Sequence, residues 1–212
     1  MNLTRSLLLA GVLALAAPVV SASVVAPASA QQPAGVVAPV SALYAALTTL
    51  QGQGSSVPFQ QRAERLAPAV DQAFNLPTIL QTSIGLRFRS LPDAQKQQLE
   101  QVFRQFTIAR YVSNFATNSG DTLKVLPNPR PSPYGGEQIV QTQIVSSSGT
   151  VTKLDYVMRQ FPQGWQAVDV LVDGHISQVA VQRSDFGSTV STGDAAPLIE
   201  SLKRKIRSFS DT

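Results

Sequence analysis

The chain has 212 residues, of which 43% are hydrophobic and 14% charged, and its formal net charge is +4. It contains no cysteine and a single histidine, His175, which excludes disulfides, thiolate metal sites and metal sites built from several histidines. A Ser-His-Asp triad would need His175, which follows Asp173-Gly174 in a predicted turn and is expected to be exposed there. The acids are scattered apart from Asp169 and Asp173, and there is no glycine-rich phosphate loop. The composition therefore argues against an enzyme, and the modest charge gives no support to nucleic-acid binding.

The first thirty residues have the organisation of a cleavable export signal. Arg5 precedes an apolar run over 6–17, and small residues end at Ala28-Ser29-Ala30, which matches the charged, apolar and cleavage regions of a secretory signal. The apolar run is shorter than the roughly 20 residues of a membrane-spanning helix, and we expect no segment after residue 31 to span a bilayer. The predicted organisation is a signal peptide over 1–30, a flexible leader over 31–39 and a single domain over 40–212.

Helical periodicity dominates the domain as far as residue 120. Helices are predicted over 40–50, over 59–74 with a bend or interruption at Pro68, and from 76 to about 85. The strongest helical pattern covers 93–115, where Asp93 carries a charge that suits a helix N-terminus. Its apolar residues recur at helical spacing and cover much of its circumference.

The region 121–192 alternates between apolar and polar residues and predicts an antiparallel sheet. Strands are expected over 123–126, 138–145, 151–161, 165–172 and 176–182, with a proline- and glycine-rich loop over 127–136. A helix over about 194–209 closes the chain. We read its basic last turns as partners of the helix dipole, and membrane-surface binding is the alternative. Helices, then a curved antiparallel sheet, then a helix make the fold class α+β.

The strand predicted over 165–172 is apolar on both faces. Strict alternation places Val168, Val170 and Val172 on one face, and Trp165, Ala167 and Leu171 on the other. We expect one face to pack against helices and the other to line a further feature.

Several short motifs stand in a definite order along the chain. GWQAVDVLVDGHIS at 164–177 is followed by QRSDF at 182–186, and upstream lie FQQR at 59–62, AFNLP at 73–77 and FRQF at 103–106. No single motif is specific, but the ordered set resembles the MlaC family, the toluene-tolerance type of periplasmic lipid carrier. The resemblance covers nearly all of the chain after the signal peptide.

The resemblance implies N-terminal helices packed on an NTF2-like or cystatin-like sheet, with the acyl chains of a phospholipid between them. It implies a non-enzymatic carrier, without cofactor or metal, that shuttles phospholipid across the periplasm. Its partners would be an outer-membrane lipoprotein complex and an inner-membrane ABC transporter. A related branch associated with hopanoid biosynthesis (HpnM) implies a hopanoid or another lipid as the alternative ligand. An enzyme on an NTF2-like scaffold and a chaperone-like envelope protein that binds a partner peptide are the competing interpretations.

The residues expected to line the lipid tails are apolar or aromatic, and their role is burial without chemistry. They are Phe74, Leu76, Ile79, Leu80, Phe103, Phe106, Tyr111, Phe115, Tyr156, Val168, Val170, Val172 and Val179. Arg183 is expected to pair with Asp169 across adjacent strands. The alternative places Arg183 against a phosphate head group at the mouth of the cavity.

Export predicts a defined mature N-terminus. Because the A-x-A pattern ends at Ala30, the protein recovered from the envelope should begin at Gln31. N-terminal sequencing and the intact mass of the soluble exported protein measure this directly. An exported protein that keeps residues 1–30 would contradict the prediction, since an uncleaved apolar run would tether the chain to one membrane.

Overall fold

The structure is a computed structural model that describes residues 33–53, 56–115 and 120–211, so the predicted signal peptide lies outside the described residues. The described part belongs to one compact unit. Its α-helices are α1 (Pro33–Gln53), α2 (Phe59–Ala73), α3 (Leu76–Ile84), α4 (Asp93–Phe115), α5 (Gln178–Gly187) and α6 (Ala196–Ser210), and a 3-10 turn covers Gly85–Ser90. The strands are β1 (Thr122–Val125), β2 (Arg130–Pro131), β3 (Glu137–Val145), β4 (Val151–Phe161), β5 (Gly164–Val172) and β6 (Ile176–Ser177).

The strands form an antiparallel sheet in the order β1-β3-β4-β5-β6, and β2 pairs with the other end of β3. Helices α1, α2, α3 and α5 contact the sheet, while α6 packs along α4. The sheet contributes Tyr156, Met158 and Ala167, among others, to the same buried core as the helices. The fold is therefore α+β, as predicted. Within the predicted 127–136 loop, β2 is an addition that the sequence did not indicate.

Helix α1 begins at Pro33, so residues 33–39 are helical and the predicted flexible leader is wrong at these positions. The reason is that the apolar stripe starts earlier than expected: Val36 and Val40 are buried and continue the spacing of Leu43 and Leu47. Residues Gly35–Gln53 are also long and apolar enough to span a membrane, contrary to the expectation for the chain after residue 31. In the fold, Val40, Leu43 and Leu47 are each at most 1% exposed, so this stripe belongs to the core. Helix α2 continues through Pro68.

The predicted strand over 176–182 is wrong beyond residue 177, where α5 begins. Ser177 caps this helix, since its hydroxyl accepts a hydrogen bond from the amide of Ala180 at 2.9 Å. The carboxylate of Asp169 accepts a second amide bond, from Val179 at 3.1 Å. Two of the amides that a helix start leaves unpaired are thereby satisfied. The alternation around Val179 resembles a strand, but the second cap comes from a residue on β5 that no local pattern reveals.

Strand β5 contains a bulge that changes which side chains share a face. Val157 pairs with Asp169 and Met158 pairs with Ala167, which leaves Val168 as the extra residue. Ala167, Val170 and Val172 all pack against the core, whereas Val168 is buried outside that cluster. The prediction that Val168 shares a face with Val170 and Val172 is therefore wrong, because one inserted residue inverts the alternation.

The burial of α1 predicts a large loss of stability on truncation. Leu43→Ala removes a fully buried side chain and should lower the free energy of unfolding by about 2–5 kcal/mol, measured by urea denaturation. Thr49→Ala, on the exposed side of the same helix, should change it by less than about 0.5 kcal/mol. Equal effects of the two substitutions would show that α1 is not part of the core.

Candidate functional site

A cavity of about 270 Å³ lies between α3, α4, α5 and the inner face of the sheet. Ten of the residues predicted to line lipid tails surround it: Phe74, Leu76, Ile79, Phe103, Phe106, Tyr111, Phe115, Val170, Val172 and Val179. Nine further residues complete the wall: Thr107, Arg110, Asn114, Ile144, Thr152, Leu154, Asp169, Gln178 and Gln182. Most of the surface that these residues present to the cavity is apolar.

Four of the predicted residues do not line this cavity. Leu80 is fully buried in the core, and Tyr156 lies behind Tyr111. Val168 is displaced by the bulge in β5. Arg183 lies on α5, exposed, and its guanidinium donates from Nε and Nη2 to the carbonyl of Thr82 at 3.2 and 2.9 Å. The expected cross-strand pair with Asp169 is therefore wrong, because residue 183 is on a helix.

Aromatic rings form one wall of the cavity. The ring of Phe74 lies 5.4 Å from that of Tyr111, and Tyr111 lies 5.3 Å from Phe115, measured between ring centroids. Phe74 is positioned where α2 ends, because the amide of the next residue, Asn75, donates to the carbonyl of Ala167 on β5 at 3.0 Å. The stripe on α4 thus supplies Tyr111 and Phe115 to this wall, and the hydrogen bond to the sheet positions Phe74. The ring centroids are at separations at which aromatic side chains attract each other.

A tyrosine cluster, which consists of Tyr44, Tyr111, Tyr156 and Thr142, lies beside this wall. The hydroxyls of Tyr111 and Tyr156 are 3.2 Å apart, and the hydroxyl of Tyr44 is 2.6 Å from Oγ1 of Thr142. Thr142 donates its own proton to the carbonyl of Leu154 at 2.6 Å, so Tyr44 must be the donor to Thr142. Each hydroxyl of the cluster has a partner, as buried polar groups require.

Asp169 is the carboxylate on the cavity wall, and its oxygens are already engaged. It accepts bonds from the hydroxyl of Ser177 and from the amides of Val170 and Val179. This carboxylate is thus a structural anchor for the start of α5. Within the described residues, no cluster of three or more His, Cys, Asp or Glu side chains is placed to hold a metal ion. His175, which the sequence placed in an exposed turn, is exposed there, and its Nδ1 lies 2.9 Å from the carbonyl of Asp173.

Polar side chains border the cavity along the edges of α4 and α5. Thr107, Arg110 and Asn114 follow one another at helical spacing on α4, and Gln178 and Gln182 face them from α5. Nη2 of Arg110 donates to Oε1 of Gln178 at 2.9 Å, which links the two helices. None of these five residues was among the predicted site residues, because they are polar and the prediction followed the apolar stripe. Their 107-110-114 spacing beside the apolar stripe is the signal that could have found them.

The tyrosine cluster predicts a loss of stability in alkali. Burial raises the pKa of Tyr111 and of Tyr156 well above the ordinary tyrosine value. In the unfolded chain these groups ionise near pH 10, so above that pH the folded state binds more protons and the free energy of unfolding falls as the pH rises. Tyr156→Phe should make this fall shallower by up to about 1.4 kcal/mol per pH unit, measured by urea denaturation at a series of alkaline pH values.

The control for this titration is Thr49→Ala, because Thr49 is exposed and does not titrate. It should leave the slope unchanged. Equal slopes for the wild type and Tyr156→Phe would contradict the raised pKa of Tyr156.

Comparison with known proteins places the chain in a family. The family model of the MlaC protein matches residues 41–204. No curated protein gives a significant match. Among solved structures, the chain resembles the phospholipid-binding protein of Ralstonia solanacearum in complex with a phospholipid, with a TM-score of 0.67 and 19% sequence identity over 82% of this chain and 98% of that one. The structural likeness establishes the fold, and the family match spans most of the sequence: the chain belongs to the MlaC family.

Proposed function

We propose that this protein is a periplasmic carrier that binds the acyl chains of a phospholipid in the cavity between α4 and the sheet. The observation that carries the proposal is the cavity itself, whose wall is built from aromatic and aliphatic side chains on three helices and the sheet. Membership of the MlaC family and the shared fold with a phospholipid-binding protein support a lipid as the ligand.

The physical need for such a cavity follows from the cost of exposing acyl chains to water. Two chains contain roughly 30 CH₂ groups, each worth about 0.8 kcal/mol when kept from water. Free transfer through an aqueous space would cost on the order of 20 kcal/mol. A carrier removes this cost by replacing the bilayer with an apolar interior. The residues that supply it here are the aromatic stripe of α4 and the inward valines of β5.

The size of the cavity leads us to propose that it widens to accept the chains. Its volume of about 270 Å³ is just below the range of about 300–1,000 Å³ for pockets that hold drug-sized ligands, and two acyl chains are larger than such ligands. Helix α4 is packed along α6, but its links to α5 are few, chiefly the Arg110–Gln178 hydrogen bond and the contact between the rings of Phe103 and Phe186. We therefore expect the cavity to open between α4 and α5.

A binding role suits the polar groups of the wall better than a catalytic one. Asp169 is held by three donors at the start of α5, so it is not poised to take a proton from a substrate. The hydroxyl of Tyr111 is buried and its pKa is raised, which keeps it neutral. These groups set the shape of the cavity and leave its interior apolar.

We place the protein in the periplasm, between two membrane partners. The organisation of residues 1–30 as an export signal and the family support this location. The proposed partners are an outer-membrane lipoprotein complex that exchanges phospholipid with the carrier and an inner-membrane ABC transporter that does the same at the other membrane. An apolar cavity that opens between two helices suits such exchange, because the lipid can enter and leave from one side.

The proposal predicts lipid in the purified protein. Protein isolated without detergent, extracted with organic solvent and analysed by mass spectrometry should yield near-stoichiometric phospholipid. Val170→Glu places a charge on the cavity wall, where burying it is costly, and should reduce the recovered lipid at least about tenfold.

The matched control is Val151→Glu, since Val151 lies at the start of β4 and is 48% exposed. It should leave lipid recovery unchanged. Circular dichroism and urea denaturation of both variants establish that they fold. Lipid-free wild-type protein, or full recovery from folded Val170→Glu, would refute the proposal. A hopanoid in the extract would identify the alternative ligand, and a bound peptide would identify the chaperone-like alternative.

A further inference from the structure

A groove between α4, α5 and α6 adjoins the mouth of the cavity, and we propose that it holds the anionic phosphate group of the bound lipid, with Arg110 and Lys205 as the two cationic partners. This inference rests on the proposed function, which assigns only the acyl chains. We call this feature the rim groove. Its central residues are Phe106, Arg110, Gln178, Gln182, Lys205 and Phe209.

The rim groove and the cavity adjoin each other and share part of their walls. Phe106, Arg110, Gln178 and Gln182 line both of them. The apolar side of this boundary is the aromatic stripe of α4. Its polar side is formed by the guanidinium of Arg110 and the side-chain amides of Gln178 and Gln182. A lipid whose chains lie in the cavity and leave it between α4 and α5 therefore brings its head group into the rim groove.

The rim groove carries an excess of positive charge. Arg110 and Lys205 contribute two cations and Asp185 contributes one carboxylate. Among the described residues, no ion pair within 4.0 Å joins Asp185 to either cation. The ammonium of Lys205 lies 6.0 Å from the centroid of the Phe106 ring, which is within the range of a cation–π contact at the edge of the aromatic wall.

Arg110 is held by a partner that a phosphate can replace. Its Nη2 donates to the neutral amide oxygen of Gln178 at 2.9 Å. A phosphate oxygen adds the attraction of an opposite charge, which the neutral amide of Gln178 lacks, and the guanidinium fork suits two phosphate oxygens. When α4 and α5 separate to admit the chains, the bond to Gln178 is the one that breaks. Exchange of Gln178 for the lipid phosphate would compensate for that loss.

Competition between two lipids with the same acyl chains tests the assignment. Delipidated protein is equilibrated with vesicles of phosphatidylglycerol that contain a minor fraction of diacylglycerol, and the bound lipids are measured by mass spectrometry. Relative to the vesicle composition, the wild type should enrich phosphatidylglycerol about tenfold or more, because a hydrogen bond to a charged group contributes at least that factor. Arg110→Gln and Lys205→Gln should each lower the enrichment several-fold, and the double variant should abolish it.

Arg204→Gln is the matched control. Arg204 is exposed on the same helix as Lys205 and lies outside the rim groove, so this variant loses the same charge and should keep the wild-type enrichment. Diacylglycerol uptake is measured for every variant, as the reference against which the enrichment is calculated. Equal loss of enrichment in Arg204→Gln and Lys205→Gln would overturn the site, since it would indicate general attraction to an anionic membrane.

The other outcomes separate the sources of phosphate and the two levels of the proposal. Wild-type protein that binds both lipids without enrichment overturns the phosphate site and leaves the proposed function standing. Wild-type protein that binds neither lipid overturns both. Titration of inorganic phosphate into delipidated protein, followed by calorimetry, should show no binding. Saturable binding that Arg110→Gln removes would assign the rim groove to free phosphate and overturn the lipid head group.

Discussion

The need to pair buried hydroxyls constrains how α1, α4 and the sheet are arranged. Tyr44 comes from α1, Tyr111 from α4, and Tyr156 and Thr142 from neighbouring strands. Each hydroxyl lies in an apolar interior, where an unpaired polar group costs about 1–3 kcal/mol. Since each one is the partner of another, neither helix can shift against the sheet without orphaning a hydroxyl. This fixed end of the structure allows the neighbouring cavity to keep its shape.

The opposite end of the cavity depends on weaker and more exchangeable contacts. Helix α5 is anchored where it begins, through Asp169 and Ser177, but its side facing α4 is tied mainly by the Arg110–Gln178 hydrogen bond and the contact between the rings of Phe103 and Phe186. The carboxylate of Asp169 and the hydroxyl of Ser177 fix the start of α5. The hydrogen bond between Arg110 and Gln178 helps to fix the distance of α5 from α4. A fold with one rigid wall and one releasable wall can admit a bulky apolar ligand without losing its core.

Sequence reasoning succeeded where structure follows local periodicity and failed where it follows contacts between distant segments. The stripe of α4 and the strands β1, β3 and β4 could be predicted because spacing alone decides them. The bulge at Val168 depends on pairing with β4, and α5 depends on a cap from Asp169, so neither could be predicted from the local sequence. Arg110 was overlooked because a cation beside an apolar stripe indicates solvent unless the neighbouring helix is known. Ten cavity residues were nevertheless anticipated, since apolar side chains turn inward whichever element carries them.

The shortness of the outer strands has a consequence for self-association. Unpaired backbone groups along a sheet edge are templates for joining a second molecule. Here β1 has four residues and carries the exposed Lys124, and β6 has two before the chain turns into α5. Each of these two end strands therefore offers only a short row of amides and carbonyls to a second molecule.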